Sequence, residues 1–234
     1  MNMIPRLELE LSDDLPADAR YWMPPPDEVD FEGGTGIGFF QDVRLIINVA
    51  PDEAQQIAAD EREILRIVDS LSPDGATFER LANLVEFYDP DDAESSGVGP
   101  AAFERLEQYL DEWSPLQGLE LGVAGIAHAL ASVGCIPVAS CRSHVAQYSW
   151  ADRPVVYFAA DEPHGRWLEP LVRQAGCGFA IDDERPDFLL LEAPSITEMT
   201  RLTAAILRES ETGWPTWLSR TYEPVGLEVD YHVY

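Results

Sequence analysis

The order of apolar segments between residues 119 and 206 is the feature that most constrains the fold of this chain. Single helices alternate there with pairs of short strands: a helix over 119–133, strands over 136–141 and 155–160, a helix over 166–175, strands over 178–181 and 188–192, and a helix that begins at Ser195. Strands that follow each other in pairs predict antiparallel hairpins with helices packed on one face. The expected class is therefore α+β, a two-layer sandwich of antiparallel β-hairpins and helices with the element order αββαββα.

This C-terminal region also aligns with itself. Residues 133–135 (Val-Gly-Cys) match residues 175–177 (Ala-Gly-Cys) at the end of a helix, and residues 152–154 (Asp-Arg-Pro) match residues 184–186 (Glu-Arg-Pro) before a strand. The pattern predicts an internal duplication of a helix-hairpin unit. The glycine and the arginine are 19 positions apart in the first unit and 9 in the second, so the first hairpin has a longer loop. Long loops are more often functional than short ones, which makes this loop the predicted site.

The long loop contains the candidate catalytic residues. Cys141 ends the first strand and His144 follows three positions later, close enough for a thiolate nucleophile and its base. Four further residues of the loop offer cationic or aromatic groups to a ligand: Arg142, Arg153, Tyr148 and Trp150. The alternative interpretation is that Cys141 is half-buried on its strand and His144 is an ordinary polar residue of the loop.

The same residues do not have the spacing of a known metal site. His128 and Cys135 could join Cys141 and His144 as ligands, but only one pair is close in sequence, unlike the ligands of a zinc motif. Cys135 and Cys177 occupy matching helix-to-strand junctions, which is typical of small buried packing residues. We therefore expect no metal ion and no cofactor.

The charge of the chain excludes several classes of partner. It has 43 acidic residues and 15 basic ones, all arginine, for a formal net charge of −28. Without lysine there is no P-loop and no Schiff-base chemistry. The negative surplus opposes direct binding to nucleic acid or anionic membranes, although imitation of DNA towards a DNA-binding protein stays open. Residues 1–120 contain 28 acidic residues and 7 arginines, and residues 121–234 contain 15 and 8, so the acidity is uneven.

The N-terminal half is predicted to be acidic and mainly helical. Helices are expected over 51–71, 78–87 and 100–113, strands over 7–11 and 43–49, and a proline-rich surface loop over 12–35. We divide the chain into an N-terminal region, 1–117, with one or two strands and three helices, and an α+β sandwich, 118–234, that ends in a strand over 227–233. One compact domain overall is the alternative.

Location and function follow from the same features. Three cysteines, no signal-peptide pattern in the first ten residues and no apolar stretch of 18 residues predict a cytoplasmic protein with no membrane partner. The uneven acidity predicts a protein-binding module that engages a basic protein partner, and the alternative interpretation of the acidity is a solvated surface of an organism whose proteins favour acidic residues and arginine. The alternative is a small enzyme that uses Cys141 and His144 in a pocket beside the 142–153 loop.

Overall fold

The structure of the protein, a computed structural model, describes residues 3–25, 36–37, 40–41, 45–86, 99–110, 116–144 and 149–213. Its helices and strands confirm the predicted α+β class. In chain order they are β1 (Gly36–Ile37), β2 (Phe40–Gln41), α1 (Pro51–Leu71), α2 (Gly75–Glu86), α3 (Pro100–Leu106), α4 (Ala124–Ser132), β3 (Ile136–Cys141), β4 (Val155–Ala159), α5 (Glu162–Ala175), β5 (Gly178–Ala180), β6 (Leu189–Glu192) and α6 (Ile196–Gly213). None of the helices in these residues is both long enough and apolar enough to cross a bilayer.

The main sheet is antiparallel throughout, with the strand order β3-β4-β6-β5. Each predicted hairpin forms, and the second strands of the two hairpins pair in the centre, where Val155 lies opposite Glu192. The edge strand β3 has an irregular register between Pro137 and Ala139. An edge strand tolerates proline because one side of the strand needs no hydrogen-bond donor.

The side chains of β4 point alternately to the two faces of the sheet, so the core has two layers. Val156 and Phe158 face α4, α5 and α6, whereas Val155 and Tyr157 face the opposite side of the sheet. The opposite side is covered by apolar residues of the N-terminal half: Ile37 is part of the buried cluster there, and Trp22, Met23, Phe40, Leu45 and Ile47 pack against the cluster. The described part of the proline-rich segment thus contacts both layers: Leu15, Ala19 and Tyr21 pack in the core on the helix side, whereas Trp22 and Met23 pack on the opposite face.

The two Gly-Cys steps have the same backbone geometry. Gly134 and Gly176 have φ angles of 81° and 79°, a left-handed conformation that glycine adopts without a Cβ clash. In both, the glycine N–H donates to the carbonyl three residues earlier, and the N–H of Cys135 or Cys177 donates to the carbonyl five residues earlier. This is the Schellman end of a helix, and it buries both thiols as expected. Whether the two units arose by duplication stays a prediction.

Helix α1 packs on both halves of the chain. It begins at Pro51 with acidic residues in its first turn, as the sequence predicts. Its Ala54 and Ala58 lie in the core shared with α4, α5 and α6, while Ile64 and Val68 pack in a second core with α2. The division of the chain at residue 117 stays a prediction.

Several predicted boundaries are wrong. Residues 7–11 form no strand: the Leu7 N–H donates to the Pro194 carbonyl, and Ser12 after the segment forms an isolated bridge with Phe179. Residues 45–49 are also not a strand, and the fourth helix begins at Ala124 rather than at residue 119. Helix α3 ends at Leu106 and continues as a short 3-10 helix over Glu107–Tyr109. The strand predicted over 227–233 lies outside the described residues.

Candidate functional site

The side chain of Arg142 is buried at the end of β3, where it meets one face of α2. Glu79, Asn83 and Glu86 recur at four- and three-residue spacing, which places them on the same side of this helix. The guanidinium donates to all three: Nη1 to Glu79 Oε2 at 2.8 Å, Nη2 to Asn83 Oδ1 at 2.7 Å and Nε to Glu86 Oε1 at 2.6 Å. Its donors are thus used by the chain itself, which does not favour the predicted role of Arg142 in receiving an external anion.

The imidazole of His144 lies between the carboxylates of Glu79 and Glu120, and it shares Glu79 with Arg142. Its Nδ1 is 2.9 Å from Glu79 Oε1, and its Nε2 is 3.1 Å from Glu120 Oε1. Glu120 also accepts the backbone N–H of Arg142 at 2.6 Å through Oε2. Ser143 between them has a φ of 69°, the left-handed turn that follows β3. We call this set the Arg142 cluster: Glu79, Asn83, Glu86, Glu120, Arg142 and His144.

Burial and ion pairing act in opposite directions on the charges of the Arg142 cluster. Burial would raise the pKa of Glu79, but Arg142 and His144 outweigh it and lower that pKa. Burial dominates at Glu86 and raises its pKa to about 7 although Arg142 opposes it. Burial also disfavours the charged form of Arg142, yet Glu86 and Glu79 raise its pKa above the usual value. The guanidinium is therefore charged, and the carboxylates around it outnumber it.

Cys141 lies next to the Arg142 cluster with its thiol buried. Its Sγ is 3.2 Å from Ser149 Oγ and accepts the backbone N–H of Ser143 at 3.4 Å. Burial raises the pKa of this thiol, although the bond to Ser149 opposes the shift. One donor atom each from Glu120, Cys141 and His144 lie within 4.8 Å of one another. The structure thus brings the two predicted catalytic residues together and adds Glu120, which the sequence analysis missed.

The other predicted ligand-binding residues lie apart from the Arg142 cluster. Arg153 donates to Glu192 at 3.0 Å and to Asp152 at 2.8 Å. Trp150 is 58% exposed, and its ring packs against Tyr157. Within the described residues, no hydrogen bond, ion pair or ring contact joins Arg153 or Trp150 to the cluster. Tyr148 lies outside the described residues.

His128 and Cys135 do not extend the site. His128 contacts the Ala124 carbonyl through Nδ1 and Gln117 through Nε2. Cys135 is buried at its helix end, and burial raises the pKa of its thiol. Among the described residues, the group with metal-binding geometry contains neither of them. The four-ligand set weighed from the sequence is not assembled.

Two cavities bear on the predicted pocket. One of about 40 Å³ is lined by Arg142, Ser143 and Pro154 but not by Cys141 or His144, and it has room for only a few water molecules. The other, about 280 Å³, lies between α1 and α6 and is lined by Glu61 and Arg208 among others. Neither gives the 142–153 loop a substrate-sized pocket in the part of the chain that is described.

Glu61 is a second buried acidic residue, separate from the Arg142 cluster. Its Oε1 accepts the N–H of Gly122 at 2.8 Å, and its Oε2 has no hydrogen-bond partner among the described residues. Burial raises the pKa of Glu61 to about 7, against the effect of the backbone N–H groups at the start of α4. A Cβ at Gly125 would lie 2.4 Å from Oε2, so any larger residue there would displace the Glu61 carboxylate. Glu61 is not among the residues that the sequence analysis singled out.

Comparisons with known proteins add no relative. No protein-family model, curated protein or solved structure matches the chain.

Proposed function

We propose that the protein is an interaction module whose acidic surface binds a basic protein partner. The observation that carries the proposal is the way the chain uses its own cations. Eight arginines of the described residues form ion pairs with the chain's own carboxylates: Arg6, Arg66, Arg142, Arg153, Arg166, Arg173, Arg185 and Arg201. These arginines are therefore committed to internal pairs.

The acidic residues that remain face the solvent. Within the described part of the chain, eleven exposed side chains have carboxylates that make no ion pair or hydrogen bond: Glu8, Glu10, Asp18, Asp52, Glu53, Glu104, Glu107, Asp183, Glu184, Asp187 and Glu209. Such a surface accelerates encounter with a cationic partner and repels polyanions. Exposed charges are screened by salt, so binding of this kind weakens as ionic strength rises.

The turn between β5 and β6 is the local site at which the proposal can be tested. Asp183, Glu184 and Asp187 are exposed there within five residues, so their substitution does not disturb the core. Replacing them with Asn, Gln and Asn removes three negative charges from one surface. Replacing them with Glu, Asp and Glu keeps the charge and serves as the matched control.

We expect the full-length chain to capture a protein of basic isoelectric point from an extract of its native host at low salt and to release it at high salt. The neutral triple variant is expected to retain several-fold less of that protein, while the charge-conserving variant retains as much as the wild type. Quantitative mass spectrometry of the retained proteins measures both. The proposal is wrong if no basic protein is enriched, or if neither salt nor neutralisation changes the amount retained.

The second candidate is a small enzyme that uses Cys141 and His144, and it is supported by the proximity of the two side chains. All three thiols are buried, so if His144 acts as a base, a small thiol-directed electrophile is expected to modify Cys141 much faster than Cys135 and Cys177. The substitution His144→Gln should then slow modification of Cys141 about tenfold or more. Peptide mapping by mass spectrometry gives the rate at each cysteine. Equal slow modification of all three thiols would remove this candidate.

A further inference from the structure

We propose that Glu120, Cys141 and His144 bind one zinc ion. This goes beyond the interaction function, which depends on the exposed carboxylates and not on this site. Glu120 precedes α4, Cys141 ends β3 and His144 follows the turn at Ser143, so separate parts of the fold converge. Their donor atoms already lie within 4.8 Å of one another.

The separation of the donor atoms fits tetrahedral coordination. Zinc binds nitrogen and oxygen at about 2.0–2.2 Å, so two such ligands in a tetrahedral site are about 3.3 Å apart. The distance of 3.1 Å from His144 Nε2 to Glu120 Oε1 is close to that value. Zinc binds sulfur at about 2.3 Å, so a tetrahedral sulfur–nitrogen pair is about 3.6 Å apart, and Cys141 Sγ, which lies within 4.8 Å of the other two donor atoms, needs to approach by about 1.2 Å at most.

The chemical types of the three ligands favour zinc over the other common divalent ions. A thiolate and an imidazole are soft or borderline ligands, whereas calcium and magnesium prefer oxygen alone. Three protein ligands with water in the fourth position is the arrangement found in catalytic zinc sites. The side chain of Glu120 is 20% exposed, so an ion can reach the site from solvent.

Residues behind the ligands hold them in place. His144 contacts Glu79 through Nδ1, which leaves Nε2 facing Glu120, and a histidine bonded to a carboxylate in this way is the usual partner of a protein-bound metal. Glu79 is itself fixed by Arg142. The backbone N–H of Arg142 binds Glu120 Oε2, so Oε1 is left for the ion.

The charge of the surroundings also favours a cation. Glu79 and Glu86 pair with the guanidinium of Arg142 and Glu120 accepts its backbone N–H, so three carboxylates surround this arginine, and a bound Cys141 thiolate would add a further negative charge. Buried charges are costly unless they are compensated. A divalent ion supplies that compensation at the point where the carboxylate, the thiol and the imidazole converge.

The test uses the full chain, stripped of metal with a chelator and titrated with zinc in competition with a chromophoric chelator. We expect one zinc ion per chain. The variants Cys141→Ser and His144→Gln are expected to bind zinc about 100-fold more weakly or worse. Cys177→Ser is the matched control, because Cys177 is equally buried and lies outside the site, and it should bind zinc as the wild type does.

Cobalt gives a readout on the wild-type chain itself, so it does not depend on how any variant folds. The wild-type chain loaded with cobalt should show the near-ultraviolet charge-transfer band of a thiolate ligand. The proposal is overturned if the wild type binds no stoichiometric zinc or if its cobalt complex lacks this band. A chain that fails this test but still captures a basic protein leaves the interaction function intact.

Discussion

Replacing Arg142 with methionine is expected to lower the free energy of unfolding by about 3–5 kcal/mol. The side chain of Arg142 is 2% exposed, and those of its partners Glu79 and Glu86 are 3% and 0% exposed. Methionine keeps most of the aliphatic volume but removes every donor of the guanidinium. Two carboxylates would then stay buried without a counter-charge, and that uncompensated burial is the source of the loss.

Urea denaturation with a chelator present measures the effect without any contribution from metal. Arg166→Met is the matched control, because Arg166 is exposed and pairs with Glu162 at 3.5 Å on the surface, where such a pair contributes at most about 1 kcal/mol. Adding Glu79→Gln and Glu86→Gln to Arg142→Met should recover part of the loss, since the triple variant has no unpaired charge. Equal effects of Arg142→Met and Arg166→Met would contradict a structural role for the Arg142 cluster.

The elements predicted well from the sequence are those whose signals are local. Strand 136–141 and helix 51–71 have their predicted boundaries, because an apolar run or a helical repeat with a proline start is complete within the segment. The class of the fold follows from the order of such segments. The pairing of β4 with β6 cannot be predicted from the order of the segments, because it joins two hairpins that are separated along the chain.

The partners of Arg142 could not be predicted for a similar reason. Glu79 and Glu86 lie 63 and 56 positions away from it in the sequence, and nothing local distinguishes them from the other acidic residues. A weak signal was present in α2, where Glu79 follows the buried Phe78 and Glu86 follows the buried Val85. An acidic residue next to the apolar side of a helix can be identified as a buried counter-charge only when the cation that faces it is also known.

The sequence indicates more clearly that Glu61 is a buried acidic residue. The buried positions of α1 recur as Ala54, Ala58, Leu65 and Val68, and Glu61 occupies the position that this repeat assigns to another apolar residue. A carboxylate within a core-facing stripe predicts either a buried ion pair or an altered pKa. Glu61 shows the second, because its carboxylate is buried against the start of α4 without an ion-pair partner among the described residues and its pKa is raised.

Glu61 makes the stability of the protein depend on pH. Its pKa is raised from 4.5 to about 7, so the native state keeps this proton over a range in which the unfolded chain releases it. The native state therefore binds more protons between pH 4.5 and 7, and stability from this group falls as the pH rises across that window. Above about pH 7 both states have lost the proton and the destabilisation is complete.

The substitution Glu61→Gln removes this titration. We expect the unfolding free energy of the variant, relative to the wild type, to rise by about 3 kcal/mol between pH 4.5 and pH 7 and to be constant beyond these limits. The contributions of all other groups cancel in the difference between the two proteins. Denaturation at a series of pH values, with the exposed Glu53→Gln on the same helix as the control, measures it. A difference that does not change with pH would show that Glu61 is ionised throughout, with its charge compensated by the N–H groups at the start of α4.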